Sequence, residues 1–281
     1  LKLWSLNPVI LYGIYMMGGV DIIPAALAML ALLLMKERKI WPAFILLSAA
    51  ALFKTFSLFM LLPLLVFITR GKKDLLVNLT AMAIPFAVVL LPFFFSSGYE
   101  VLGSIIPPSA SGNSGALGMI LPMVEKLVFV GLYLALLFGS FKLRNSSDDK
   151  AILRISIASI LLLYTLLFTP VHYFVWVIPM LIAAVCLKMI SMRLYMVQIL
   201  CLFIFNLNSS ATSFGLFMPI DPHFFSGIPG LPDIIHGFSI KWGIIMLMAR
   251  MAFMAICVIM AMNVMGLSGF RPKFGTSNEH N

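Results

Sequence analysis

Charged residues are scarce in this chain. Asp, Glu, Lys and Arg make up 10% of its 281 residues, against roughly a quarter in soluble domains. With 62% hydrophobic residues and a mean hydropathy of +1.09, this deficit excludes an ordinary water-soluble domain. Apolar runs recur along the chain, each close to the ~20 residues that span ~30 Å of hydrocarbon. We therefore expect an all-α fold, a polytopic transmembrane helical bundle.

Cysteine is also rare, and its placement excludes a disulfide framework. Cys186, Cys201 and Cys257 all fall inside apolar runs, and the sequence contains no CxxC pair. They are expected to be small buried hydrophobic residues.

Motifs of the common soluble enzymes are absent. The sequence has no GxSxG, no Walker loop, no HExxH and no Rossmann fingerprint, so we expect no cofactor. His223 and His236, with Asp221 and Asp233, lack the tight spacing of metal ligands, so we expect no metal site either.

The charge that is present is mostly positive, with a net value of +9. Fourteen of the nineteen Lys and Arg lie in short clusters between apolar runs, which is the positive-inside pattern of cytoplasmic loops rather than a nucleic-acid surface. The clusters are 36–39, 70–73, 142–150 with Arg154, 188–193 and 271–273.

The apolar segments can be arranged as membrane crossings that keep all of these clusters on one side. They predict one transmembrane domain over 1–266, with about seven crossings plus a hairpin, followed by a polar cytoplasmic tail at 267–281. Loops 97–121 and 213–241 are then external. The predicted segments are 8–20, 21–35, 40–69, 75–96, 122–141, 151–169, 171–187, 194–212 and 242–266.

Segment 40–69 is the exception to a simple crossing, because basic clusters flank both of its ends. It is better explained as a re-entrant hairpin of two helices of about 13 and 15 residues, with Lys54 at the turn. Asp21 begins the preceding inward segment, and His172 lies in the external turn "TPVHYFVW". The topology therefore places Lys54, Asp21 and His172 at similar depth, near the external face.

Lys54 and Asp21 each have two interpretations. Lys54 is the single charge in the thirty residues from Ile40 to Thr69. It could bind an anion such as a lipid phosphate, or it could be a snorkelling lysine. If Lys54 binds a phosphate, replacement by Met is expected to impair ligand use and leave the fold intact, whereas snorkelling predicts little loss of activity. Asp21 could be a helix N-cap, a member of a polar site, or both.

The remaining candidates are His172, Tyr173, Trp176 and Arg250. Tyr173 and Trp176 suit an interfacial aromatic belt, whereas His172 could hydrogen-bond to a sugar or phosphate. Arg250 lies about eight residues inside segment 242–266, where an arginine either snorkels outward or serves a function.

Three blocks, taken in order, resemble those of GT-C glycosyltransferases. They are "LNPVILYGIYMMGGVDIIPAALAMLALLLMKER", "LLSAAALFKTFSLFMLLPLL" and "FTPVHYFVWVIPMLI". The likeness is to polyprenol-phosphate-mannose-dependent mannosyltransferases, including the first mannosyltransferase of GPI-anchor assembly and its prokaryotic relatives. It covers roughly residues 5–187.

This resemblance implies an inverting membrane enzyme that takes mannose from a polyprenyl-phosphate donor at the extracytoplasmic face and passes it to a lipid or glycan acceptor. Lys54 matches the family lysine, Asp21 a polar or acidic position, and His172, Tyr173 and Trp176 the late block. Relatives often have Gln or Ser-Gln where this chain has Val-His. The family's acidic motif of a first external loop is missing. We expect it upstream of Leu1, so the catalytic residue is unknown and this chain alone is expected to be inactive.

Two other classes remain open. A transporter or flippase of a lipid-linked or small anionic substrate would also use broken helices and intramembrane Lys and Arg, although no repeat symmetry is visible. A scaffold subunit would not need such residues at one depth. Every class implies a multi-pass integral membrane protein in contact with membrane lipids, in the plasma membrane of a prokaryote or the endoplasmic reticulum of a eukaryote.

Single cysteines introduced into the clusters at 36–39, 70–73, 142–150 and 188–193 should be labelled by an impermeant thiol reagent from one side of the membrane. Cysteines in 97–121 and 213–241 should be labelled from the opposite side, because the basic clusters stay cytoplasmic. Labelling of 70–73 from the side of the long loops would contradict the hairpin.

Overall fold

The protein is all-helical in the described part of the computed structural model, which covers residues 2–16, 21–97, 116–146, 148–165, 171–206, 221, 223–224 and 242–266. Side chains are described for these residues except 15–16, 93–97, 116–126 and 172. The α-helices are α1 (Lys2–Ser5), α2 (Pro8–Ile10), α3 (Ile22–Lys36), α4 (Ile40–Phe53), α5 (Leu58–Ile68), α6 (Lys72–Ser97), α7 (Ala116–Leu143), α8 (Ala151–Tyr164), α9 (Ile178–Cys186), α10 (Met192–Asn206) and α11 (Trp242–Met265). Shorter turns are a π-helix at Leu11–Met16 and 3₁₀ helices at Thr55–Ser57 and Val171–Trp176.

The chain divides into two compact units, Leu1–Met180 and Leu181–Asn281, with the boundary inside α9. In the first unit, α4 packs against α3 and α6, and α5 packs against α7 and α8. In the second unit, α10 packs along α11.

The segment 40–69 is a helical hairpin. Its arms are α4, with 14 residues, and α5, with 11 residues, joined by Lys54 and the short 3₁₀ helix. Ile40 at one end and Ile68 at the other line the same cleft. In one continuous helix these residues would be about 42 Å apart, at 1.5 Å per residue. The chain must therefore reverse at the turn; its re-entry into a membrane remains a prediction.

The turn forms because the backbone leaves the helical region at one residue. Lys54 has φ −152° and ψ 132°, an extended conformation, and its N–H closes α4 by donating to the Ala50 carbonyl. Helix α3 enters α4 through the short link 37–39, so the two helices run antiparallel. The start of α3, at Asp21, thus lies beside the end of α4, at Lys54.

Three of the predicted basic clusters meet at the opposite end of the first unit. Residues from 36–39, 70–73 and 142–150 line one cleft of about 670 Å³. They therefore share one end of this unit, as the charge pattern predicted. The membrane side of that end, and the side of cluster 188–193 in the second unit, remain predictions.

Within the described ranges, two helices have the length and composition to cross a membrane, Lys72–Pro92 and Trp242–Met265. Only 17% of the apolar stretch in α6 is buried, which is unlike the core helix of a soluble protein and suits a lipid-facing surface. Most of the predicted external loops 97–121 and 213–241, and all of the tail 267–281, lie outside the described residues.

The second unit is held by buried contacts between α10 and α11. The Gln198 amide donates to Sγ of Cys257 at 3.1 Å, and the rings of Phe205 and Phe253 meet edge to face at 5.2 Å. Cys201 and Cys257 are buried, as expected from the sequence, but Cys186 is exposed.

Spin labels at Trp41 and Thr69 should be on the order of 20–25 Å apart, about two helix diameters, because both arms end at one cleft. A double electron–electron resonance measurement on the reconstituted protein checks this. A distance near 42 Å would mean that 40–69 is a single crossing.

Candidate functional site

Lys54, at the turn of the hairpin, is paired with an acid. Nζ of Lys54 lies 3.4 Å from Oδ1 of Asp21. The same oxygen accepts a hydrogen bond from Nε1 of Trp176 at 3.2 Å. Asp21 precedes α3, and the positive end of that helix dipole also favours a carboxylate there. The carboxylate thus receives an ammonium and an indole N–H, so neither charge is buried without a partner.

Aromatic rings surround this pair. The indole of Trp176 is sandwiched between Phe56, with ring centroids 4.9 Å apart, and Tyr173, at 4.7 Å. Nζ of Lys54 lies 4.8 Å from the Tyr173 ring centroid and 5.7 Å from that of Trp176. At these distances the ring faces attract the ammonium, by about 0.5–2 kcal/mol according to exposure. We refer to Asp21, Lys54, Tyr173 and Trp176 as the ion-pair cluster.

The turn Val171–Trp176 is fixed from two sides. From α8, the Tyr164 hydroxyl donates to the Tyr173 carbonyl at 2.8 Å. From the N-terminal side, α2 and the π-helix pack against the turn. The Asn-Pro pair explains that packing locally, because the Asn7 side chain caps α2 by accepting from the Val9 N–H at 2.9 Å, and Pro8 begins the helix.

Solvent access differs within the ion-pair cluster. The Asp21 side chain is 8% exposed and Trp176 is buried. Lys54, at 35% of its side chain, and Tyr173 are half-buried. An incoming ligand therefore meets an ammonium and a phenol ring, while the carboxylate and the indole support them from behind.

Four of the six predicted binding residues are brought together here, namely Asp21, Lys54, Tyr173 and Trp176. The side chain of His172 lies outside the described residues. Arg250 is half-buried in α11, which belongs to the second unit.

The capping interpretation of Asp21 is wrong for its side chain. Asp21 occupies the position before α3, but it makes no capping hydrogen bond and turns to Trp176 and Lys54 instead. The expectation that Lys54→Met leaves the fold intact also changes, because that substitution would strand a buried carboxylate.

Sequence reasoning missed two supporting residues. Phe56 closes the aromatic stack, and its proximity to Lys54 in sequence was the only available signal. Tyr164 gave no signal, since one tyrosine in an apolar helix is equally consistent with an interfacial position.

Comparisons with protein-family models, with curated proteins and with solved structures found no match. Among the described residues, no group of three or more His, Cys, Asp or Glu side chains is placed to hold a metal ion. His236 and Asp233 lie outside those residues.

Lys54→Met should lower the free energy of unfolding by about 1–3 kcal/mol, because the buried Asp21 carboxylate loses its cation. This is below the cost for a fully buried pair, since Lys54 is partly solvated. Thermal unfolding in detergent measures the effect.

The double variant Asp21→Asn/Lys54→Met is the matched control. It should recover most of the lost stability, because neither charge remains. An unchanged or higher melting temperature for Lys54→Met alone would show that the pair contributes no stability.

Proposed function

We propose that this protein is an integral-membrane glycosyltransferase that uses a polyprenyl-phosphate-linked hexose, mannose by resemblance, as its donor. One observation carries the proposal: the three sequence blocks that resemble the GT-C family come together in space. The turn Val171–Trp176 contacts α2 from the first block, and Trp176 and Tyr173 contact the Asp21–Lys54 pair of the first and second blocks.

Lys54 is suited to bind the donor phosphate. Its ammonium is held by Asp21 and two ring faces but keeps about a third of its side chain open. Lysine has three donor hydrogens, so it can bind a phosphate oxygen without leaving the carboxylate. Pre-positioned charge of this kind is effective where the surroundings exclude water.

Tyr173 and Asp21 take different roles in this proposal. The half-buried Tyr173 side chain offers partly exposed ring surface for the sugar and a hydroxyl for hydrogen bonding. Asp21 is buried, accepts a hydrogen bond from Trp176 and is ion-paired with Lys54, which suits a positioning residue better than a catalytic base. The base is left unassigned.

In the proposed reaction the bond between the sugar C1 and the phosphate oxygen breaks, and its electron pair leaves with polyprenyl phosphate. The acceptor hydroxyl oxygen forms the new bond to C1, and its proton passes to the base. The leaving phosphate gains negative charge as the bond breaks. Lys54 would stabilise this charge more strongly in the transition state than in the bound donor, which is the requirement for catalysis.

The membrane setting follows from the same proposal. The apolar, largely exposed stretch of α6 and the segment pattern support a multi-pass protein with the ion-pair cluster near the external face. The donor's polyprenyl chain would then lie in the surrounding lipid while its phosphate reaches Lys54.

A transporter or flippase is the second candidate. The break between α4 and α5 at Lys54 favours it, because interrupted helices commonly form transporter binding sites. The two candidates differ in chemistry. A transferase forms a new glycosidic bond, whereas a flippase returns its lipid-linked substrate unchanged.

Lys54→Met in the natural protein should lower kcat/KM for a polyprenyl-phosphate-mannose donor by roughly 30- to 1000-fold, since a charge-assisted contact of about 2–4 kcal/mol is lost. Transfer of radiolabelled mannose to acceptors in membranes from expressing cells measures this loss.

Two further variants separate function from folding. Lys142→Met, at an exposed position at the end of α7, should transfer normally. Asp21→Asn/Lys54→Met should regain stability without regaining transfer. Near wild-type transfer by Lys54→Met would leave Lys54 as a structural cation and remove it from donor binding. If the wild-type protein moves labelled donor across the bilayer without forming a new glycosidic bond, the result would favour the flippase.

A further inference from the structure

A second charged site lies at the other end of the first unit. The cleft of about 670 Å³ opens where α4 begins and α5 ends, and residues of the segment after α7 also line it. Its volume is within the usual range for ligand sites, about 300–1,000 Å³. We call it the basic cleft because four cationic side chains line it, those of Lys36, Arg38, Arg70 and Arg144.

These four cations have no anionic partner among the described residues. None of them forms an ion pair there, and at least Lys36, Arg38 and Arg70 are exposed. The nearby Glu37 is already engaged, since its carboxylate accepts from Nζ of Lys39 at 2.8 Å. That hydrogen bond lowers the pKa of Glu37.

Two acids also line the cleft and offset part of its charge. Asp148 is held by Arg154, at 2.9 Å, and by the Lys150 N–H, while Asp149 is exposed. The four cations outnumber these two carboxylates, and Asp148 is neutralised by an arginine outside the lining. The cleft therefore keeps a positive surplus.

Arg38 has an unusual backbone conformation. It follows α3 with φ 62°, a left-handed conformation that glycine adopts without cost and other residues adopt at roughly 1–2 kcal/mol. Glycine would serve the backbone better here, so what the arginine contributes is its side chain. Strain of this kind is often found at functional positions.

The walls of the cleft are apolar. Met35, Ile40, Phe67, Ile68 and Ile152 line it together with the cations. An occupant with a phosphate beside a short apolar stem would match both parts. A cationic or purely apolar ligand would match only one.

We propose that the basic cleft binds the phosphate headgroup of an anionic phospholipid from the leaflet on the basic side of the membrane. Basic pockets between membrane helices at that face are suited to such headgroups. The occupant would lie between the two arms of the hairpin and brace them from the end opposite Lys54. The inference rests on the membrane location of the protein and not on its transferase activity.

Titration of the detergent-solubilised chain with short-chain phosphatidylglycerol, followed by thermal stability, tests the proposal. We expect saturable stabilisation that phosphatidylcholine does not give. Arg70→Gln/Arg144→Gln should lower the affinity by about 5-fold for each charge removed. Arg70→Lys/Arg144→Lys should keep most of it, which separates lost charge from misfolding.

The matched control is Lys72→Gln/Lys142→Gln, which removes two charges from the same clusters but outside the cleft lining. It should retain the affinity. An equal loss in this control, or equal binding of phosphatidylcholine, would overturn the proposal. A second titration uses inorganic phosphate. If inorganic phosphate binds as tightly as the lipid, the cleft is a site for a free anion, and the lipid proposal is overturned. The readout needs no transfer reaction, so failure of the transferase proposal would leave it unaffected.

Discussion

The ion pair between Lys54 and Asp21 is the constraint on which the rest of the first unit depends. An ammonium between apolar helices is costly unless a partner meets it. Asp21 can serve as that partner only if α3 and α4 run antiparallel with matched lengths, which their 15 and 14 residues provide. The Trp176 indole then completes the coordination of the carboxylate, and this requires the turn Val171–Trp176 to lie over the same end.

The same geometry explains why the hairpin must be broken at Lys54. A continuous helix would carry the chain away from Asp21, whereas one extended residue and a 3₁₀ turn send it back toward its starting end. The break removes some of the backbone hydrogen bonds that a continuous helix would form at this point. Packing of α4 on α6, and of α5 on α7 and α8, buries part of each arm against protein. Broken helices are tolerated in a membrane where protein covers them.

The two ends of the first unit carry different charged sites. At one end a lysine, an acid and stacked rings form a compact site whose charges are mostly matched. At the other end four cations line a cleft with fewer acids. The hairpin spans the distance between them, so it contributes Lys54 to one site and Ile40 and Ile68 to the other. Occupation of either site would stabilise the same pair of helices by mass action.

The sequence by itself determined the helical class, the bounds of several segments such as 21–35 and 40–69, and the chain reversal within 40–69, because apolar run lengths and basic clusters are local signals. It also indicated that Asp21, Lys54 and the 171–176 turn lie at one depth. Only the tertiary structure decided that Lys54 pairs with Asp21, that Trp176 binds the carboxylate in place of a cap, and that Arg250 belongs to another unit. Depth along a membrane normal follows from counting residues, whereas lateral neighbours depend on how helices pack, and packing is set by contacts among residues distant in sequence.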